Sequence, residues 1–222
     1  IKRIKKSRQI DGIILCTTKN KDDKKLIKIA KNNNIGYFAG SDRDVLKRML
    51  DSLKQIKNIG SVIRITGDDI LVDPTYLDKA ISKHLSFNAD YTSSKELPPG
   101  TETEVFSYET LKFIFKNAID TNGTEYLTNY IVDNDQFFFS IKNDIQKRHK
   151  IDARLTIDTK KDFILVKKLL EYMKKINKEY DYTLDDIKLF FSKYPKLKKI
   201  NNSTKQRNMP LEYNSKLILK NI

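Results

Sequence analysis

Among 222 residues there is one cysteine, no tryptophan, two histidines and only five prolines. A single cysteine, Cys16, can close no internal disulfide, which fits a reducing, cytoplasmic compartment. It sits inside the apolar run GIILCTT (residues 12–18) and reads as a buried core thiol, not a nucleophile. Long apolar runs are also missing. None approaches the roughly 20 residues that a membrane span requires, and the basic opening IKRIKKSRQ lacks the apolar stretch of a signal peptide. His84 falls on a predicted helix face and His149 in a basic loop, so both read as structural or solvent-exposed, and no general base stands out.

Acids are outnumbered, 29 against 43 Lys and Arg, for a formal net charge of +14. Charge alone would admit nucleic acid. The excess is nearly all lysine, however, and is spread over every predicted helix. Arginines and aromatics, the tools for gripping bases, form no cluster. The composition therefore points to a solvated basic surface, without nucleic-acid binding, that would welcome a small phosphate-rich substrate. Hydrophobic residues at 39% and aromatics at 10% exclude a disordered chain and supply a core for one large domain.

The apolar patterning alternates. Residues 10–18 read as a strand buried on both faces, 22–33 as a helix, 36–39 as a second strand, and 45–53 as a helix with Ser41 offered as its N-cap. Residues 62–66 form a third strand, and Pro74 opens a helix whose apolar face carries Leu77, Ala80, Ile81 and Leu85. Strand–helix alternation with short links predicts an α/β fold with a mostly parallel mixed sheet covered on both faces. After Asp90 the rhythm changes. Strands at 89–93 and 103–107 flank a loop turning at Pro98-Pro99-Gly100, forming a small hairpin and helix insertion. Helices at 108–117 and 125–133, a strand at 136–142, a buried strand at 153–157, and helices at 162–176 and 184–191 complete the body. Residues 196–222 read as a polar tail with no chemistry assigned.

Two strand ends carry acids: Thr66-Gly67-Asp68-Asp69 and Thr156-Ile157-Asp158-Thr159. Ligands of open α/β sheets lie beyond the carboxyl ends of the strands, so these acids can meet at one rim. One or two carboxylates completed by water and substrate phosphates are what Mg²⁺ takes, and Gly67 would let backbone approach a ligand. The competing reading is that Asp158, like Asp73, caps the following helix. The residues alone leave both open.

Four stretches occur in order: GSDRDVLKRML (40–50), VIRITGDDILVDP (62–74), GTETEVFSYETL (100–111) and ARLTIDTKKDF (153–163). Together they resemble the CMP-sugar synthetase family, the acylneuraminate and 3-deoxy-manno-octulosonate cytidylyltransferases, most closely its SpsF-like spore-coat-polysaccharide branch. The likeness spans residues 1–195. It implies a Rossmann-like nucleotide-diphospho-sugar transferase fold that binds CTP and Mg²⁺, moves CMP onto a sugar acid or related acceptor, and works as a homodimer. By resemblance Asp68 and Asp158 are the metal ligands and catalytic acids. Gly40, Ser41, Asp44, Arg64, Thr66 and Gly67 lie along the nucleotide, and Glu104, Glu125 and Tyr126 on the acceptor side. There are two departures. The family's opening strand and basic triphosphate loop have no counterpart, since Ile1 aligns with the helix after them. Glu125-Tyr126-Leu127-Thr128 stands where relatives often have E-H-V-T, and a phenol cannot replace an imidazole. Two other readings remain: a metal-dependent glycosyltransferase of related fold, in which Gly67-Asp68-Asp69 serves as its acidic motif, and a non-catalytic truncated homologue.

Overall fold

A computed structural model of the protein describes residues 1–202 and 213–218, with the side chain of Thr124 left out. Its first unit is a parallel pair. β1 (Ile14–Thr18) and β2 (Gly36–Gly40) align Ile14 with Gly36 and Thr18 with Gly40, joined by α1 (Lys24–Asn32). That helix ends where Asn34 takes a positive φ of 49°, a conformation asparagine tolerates better than most residues. Contrary to the expectation of burial on both faces, only Thr17 of β1 is buried and Cys16 is half-buried. α1 likewise buries Ala30 alone, leaving Leu26 and Ile29 exposed. Two strands and one short helix cannot enclose this apolar stripe.

α2 (Val45–Leu53) bridges to the second sheet by burying Leu46, Met49 and Leu50 against Tyr91, Phe106, Leu111 and Ile114. Its cap is Asp44, whose carboxylate accepts the Lys47 N–H at 2.7 Å. Ser41, the expected cap, lies one turn too early, and its hydroxyl instead accepts the Asp44 N–H at 3.0 Å.

The second sheet has the order β3-β5-β4-β6, from β3 (Ser61–Arg64), β4 (Tyr91–Ser93), β5 (Glu104–Ser107) and β6 (Ser140–Lys142). β5 runs antiparallel to both neighbours, and β6 is parallel to β4. Helices α3 (Pro74–Phe87) and α4 (Tyr108–Asn117) begin at the expected kind of signal. Asp73 receives the N–H groups of Thr75 and Tyr76 ahead of Pro74, and Ser107 receives that of Thr110. α3 stops at Asn88 in the left-handed region.

Three expected elements come out shorter or different. The helix over 125–133 is a 3-10 turn, Thr124–Tyr126, followed by α5 (Leu127–Val132). The strand over 136–142 keeps only β6, after a 3-10 turn at Asp135–Phe137. Residues 153–157 form no strand, because their backbone bonds to loops instead of a ladder: Leu155 N–H to the Pro99 carbonyl at 2.7 Å and Ile157 N–H to the Asp68 carbonyl at 3.3 Å. α6 (Lys160–Lys175) and α7 (Leu184–Lys193) then pack through Leu165, Val166, Leu169, Met173, Ile187 and Phe190 with Leu71, Tyr76 and Leu155. Phe163, although apolar and in the first turn of α6, is more than half exposed. No helix among the described residues is long and apolar enough to cross a membrane.

Candidate active site

Three backbone bonds bring the two acid-bearing segments together. The turn at Pro98-Pro99-Gly100 accepts Leu155 N–H through Pro99 and Leu71 N–H through Gly100, while Asp68 accepts Ile157 N–H. Gly100 is at φ +99°, and a Cβ there would lie 2.2 Å from the Leu155 carbonyl carbon and 2.3 Å from the Thr156 nitrogen. Only glycine permits this close approach of two backbones. The loop after β3 and the chain before α6 thereby share one rim, although they lie 90 positions apart in sequence.

Within the rim, neighbouring acids have different tasks. Asp69 turns inward: its carboxylate accepts the Thr66 hydroxyl at 2.9 Å and its N–H reaches the Thr66 carbonyl at 3.2 Å. Burial, with the charge of Asp68 beside it, pushes the Asp69 carboxyl above its usual range. Asp68 receives the Thr156 hydroxyl at 3.2 Å, a neutral donor that leaves lone pairs for another partner. Asp158 is exposed and pairs with Arg154.

The cap of α6 is Thr159, not Asp158. Thr159 and Asp162 form a reciprocal capping box, with the Thr159 N–H and hydroxyl reaching the Asp162 carboxylate at 2.9 and 2.8 Å. The Asp158 carboxylate is thus excused from helix capping. Asp162 is fully buried; burial opposes its charge, but Asn201 at 2.7 Å, Thr159 and the Asp158 N–H outweigh it and hold its carboxyl below the usual range. Two carboxylates from the chain are the kind of hard-oxygen donor that Mg²⁺ accepts, with water and phosphate oxygens completing its shell. Among the described residues no three His, Cys, Asp or Glu groups are placed to hold a metal; on this rim the chain presents the carboxylates of Asp68 and Asp158.

Beside this rim, Arg64 and Glu104 face each other across β3 and β5 and form a buried ion pair at 2.7 Å. The Glu104 carboxylate also accepts Tyr91 OH at 2.8 Å and the Thr128 hydroxyl. Burial opposes its charge, yet Arg64 and these hydroxyls outweigh it and hold the carboxyl below its usual range. Arg64 then donates its other guanidinium nitrogen to the Glu125 carbonyl at 2.8 Å. From the far side, Gly123 N–H reaches the Arg43 carbonyl at 2.9 Å and the Thr121 hydroxyl reaches Asp44 at 2.5 Å. The structure therefore joins the predicted nucleotide residues Ser41, Asp44 and Arg64 to the predicted acceptor residues Glu104, Glu125 and Tyr126 through one loop, residues 120–126. Thr66 closes the turn with Asp69. Gly67 meets nothing within 4 Å of an added Cβ, so packing does not demand glycine there, and a Cβ on Gly40 would press on the Phe38 ring at 2.7 Å and the Arg48 stem at 2.9 Å.

Glu102 escaped the sequence reading. It stands two residues before Glu104, on the same face of the strand approach, and burial first, then the charge of Asp69, pushes its carboxyl up to about 7. The TETE alternation was its only signal. Arg154, four residues ahead of Asp158 and paired with it, carries no local signal of that role. Of the histidines, both are buried: His84 meets the Thr92 hydroxyl at 3.0 Å and His149 the Tyr76 hydroxyl at 2.8 Å, and neither touches the rim acids.

Comparison with known proteins adds four findings. A sequence profile described as cytidylyltransferase matches residues 1–209. An uncharacterised protein of Methanocaldococcus jannaschii is 34% identical over 210 residues, covering 93% of this chain and 84% of that protein. The spore coat polysaccharide biosynthesis protein SpsF of Bacillus subtilis is 29% identical over 163 residues, 72% of this chain and 68% of its own. Among solved structures, a cytidylyltransferase from Leptospira borgpetersenii superposes with a TM-score of 0.79 at 27% identity, covering 92% of this chain and 85% of the other.

Proposed function

Since the chain belongs to the cytidylyltransferase family, we propose that it transfers CMP from CTP to a sugar acid or related acceptor, releasing pyrophosphate, in surface-polysaccharide synthesis. The SpsF relative supports the polysaccharide setting. The observation that supports the catalytic reading is the backbone bond from Ile157, the residue before Asp158, to the Asp68 carbonyl, while Thr159 and Asp162 take over the capping of α6. The acceptor hydroxyl gives up its proton to solvent as its oxygen forms a bond to the α-phosphorus, and the bond from that phosphorus to the bridging β-phosphate oxygen breaks with its electrons on pyrophosphate. Such a reaction gains chiefly from positioning and charge neutralisation.

Asp68 and Asp158 would hold Mg²⁺, which supplies Lewis-acid neutralisation of the phosphate oxygens. Asp158 would exchange its Arg154 partner for that role, while Asp69 keeps the turn closed through Thr66. Gly40, Ser41, Asp44, Arg64, Thr66 and Gly67 would lie along the nucleotide, with Glu125 and Tyr126 facing the acceptor. Glu104 serves that side by fixing Arg64. A homodimer working in the cytoplasm is the matching setting.

Calorimetric titration with CTP, with and without Mg²⁺, alongside UTP and a UDP-sugar, tests this assignment. CTP binding should depend on Mg²⁺, and Asp158→Ala and Asp68→Ala should each weaken it at least about tenfold, which is about 1.4 kcal/mol. Full Mg²⁺-dependent binding by both variants, or preference for the UDP-sugar, would sink it.

A further inference from the structure

The segment 213–218, part of the expected featureless tail, is laid along the site's outer wall. Its backbone is tied down at several points. Ile119 N–H reaches the Lys216 carbonyl at 3.2 Å, and Ile218 N–H the Asn117 carbonyl at 2.6 Å. Asn134 donates its side-chain amide to the Ser215 carbonyl at 2.8 Å, and the Ser215 hydroxyl meets Asp133. Ser215 is buried and Leu217 packs on the core around Leu111 and Tyr130. At its head, Tyr213 donates its hydroxyl to the Tyr126 carbonyl at 2.9 Å. Its ring stands edge-on to Tyr126 and Tyr130, at centroid distances of 5.6 and 5.8 Å.

We propose that Tyr213 is a positioning residue for acceptor binding, setting the loop 120–126 from outside while Arg64 grips it from inside. The two attachments act on consecutive carbonyls, Glu125 through Arg64 at 2.8 Å and Tyr126 through Tyr213 at 2.9 Å. The chain between them cannot shift toward or away from β3 without breaking one of the bonds. Glu125 is exposed and belongs to no ladder, so its placement depends on those two carbonyls together with the bonds of Gly123 to Arg43 and of Thr121 to Asp44. Tyr126 gains a packed aromatic wall. Specificity for the acceptor thus draws on a residue distant in sequence from every motif that marks the site. The proposal rests on the reading that Glu125 and Tyr126 face the acceptor.

The test uses the full chain and the variants Tyr213→Ala and Tyr213→Phe, the second keeping the ring and losing only the donor. Hydrogen exchange without nucleotide reports the loop directly. Tyr213→Ala should speed exchange in residues 120–126 at least about fivefold, the equivalent of one hydrogen bond, with β3 nearly unchanged and a lower melting temperature from the lost ring packing, a loss that Tyr213→Phe should avoid. In exchange, Tyr213→Phe should fall between. With 3-deoxy-manno-octulosonate as probe acceptor, the KM for the acceptor should rise while kcat and the KM for CTP hold. Unchanged exchange overturns the proposal. So does a parallel rise in both KM values in Tyr213→Phe, which would make Tyr213 a staple of the fold only. If wild type binds CTP but turns over no probe, the exchange result alone decides the role of Tyr213; if wild type binds no CTP, the cytidylyltransferase reading fails separately.

Discussion

Glu102 shows how a single side chain can make this fold sensitive to pH. Its carboxyl is pushed from 4.5 up to about 7 by burial first and by Asp69 second. A carboxyl with a higher pKa folded than unfolded binds more protons in the folded state between those two values. Stability therefore falls as pH rises from 4.5 to about 7 and stays lower above it. Glu102→Gln removes that loss. Without divalent cations the variant should match wild type near pH 4 and exceed it at pH 8 by about 1–2 kcal/mol, discounted for partial exposure. Thermal melts over that pH range would show it, and a wild-type melting temperature flat with pH would refute the assignment. Asp69 shares the cause, but Thr66 and Thr156 offset part of it. The same residue type thus titrates according to its neighbours, a difference invisible in Asp68-Asp69 as letters.

Among the elements, the turn at Pro98-Pro99-Gly100 does most to assemble the site. It replaces a strand ladder for residues 153–157, and it does so through a backbone contact that only glycine allows. Gly100→Ala must separate the turn from Leu155 and Thr156, at a cost of about 2–4 kcal/mol. Its melting temperature should drop accordingly, and Mg²⁺-dependent CTP binding should weaken in the fraction that remains folded, because Asp68 and Ile157 part. Gly67→Ala is the matching control. With nothing within 4 Å of its Cβ, it should change stability by no more than about 0.5 kcal/mol. Equal losses in the two variants would contradict the role given to the turn.

Across the whole molecule, Arg3 joins regions that the chain order keeps apart. Its guanidinium donates to the Val72 carbonyl at 3.0 Å and the Tyr182 carbonyl at 2.7 Å, and it stacks 3.6 Å from the centre of the Tyr182 ring. Asp73, next to Val72, also accepts the Leu184 N–H at 3.2 Å. The opening segment, the start of α3 and the start of α7 therefore meet at one buried junction. Arg3→Met keeps the length and removes the donors, stranding two buried carbonyls. The expected loss is about 2–4 kcal/mol, seen as a lower urea midpoint at an unchanged slope. Arg3→Lys should recover only part, since an ammonium cannot span both carbonyls as the planar fork does.

Local signals in the sequence determined the α/β character, the starts of α3 and α4, and the two acid-bearing segments, because caps, periodicity and strand-end acids act over a few residues. The family likeness, too, was legible in four ordered stretches. Which residue would cap α6 was not, since Thr159 and Asp158 are both good caps and the choice depended on Asp162, itself held by Asn201, closing on Thr159. Nor could local pattern show that residues 153–157 would pair with loops, that α1 would leave its apolar stripe half covered, or that Tyr213 would reach Tyr126. Those outcomes turn on contacts between segments 56 to 89 positions apart. Only the packed chain decides them, because the free energy of each depends on what else has already come to lie beside it.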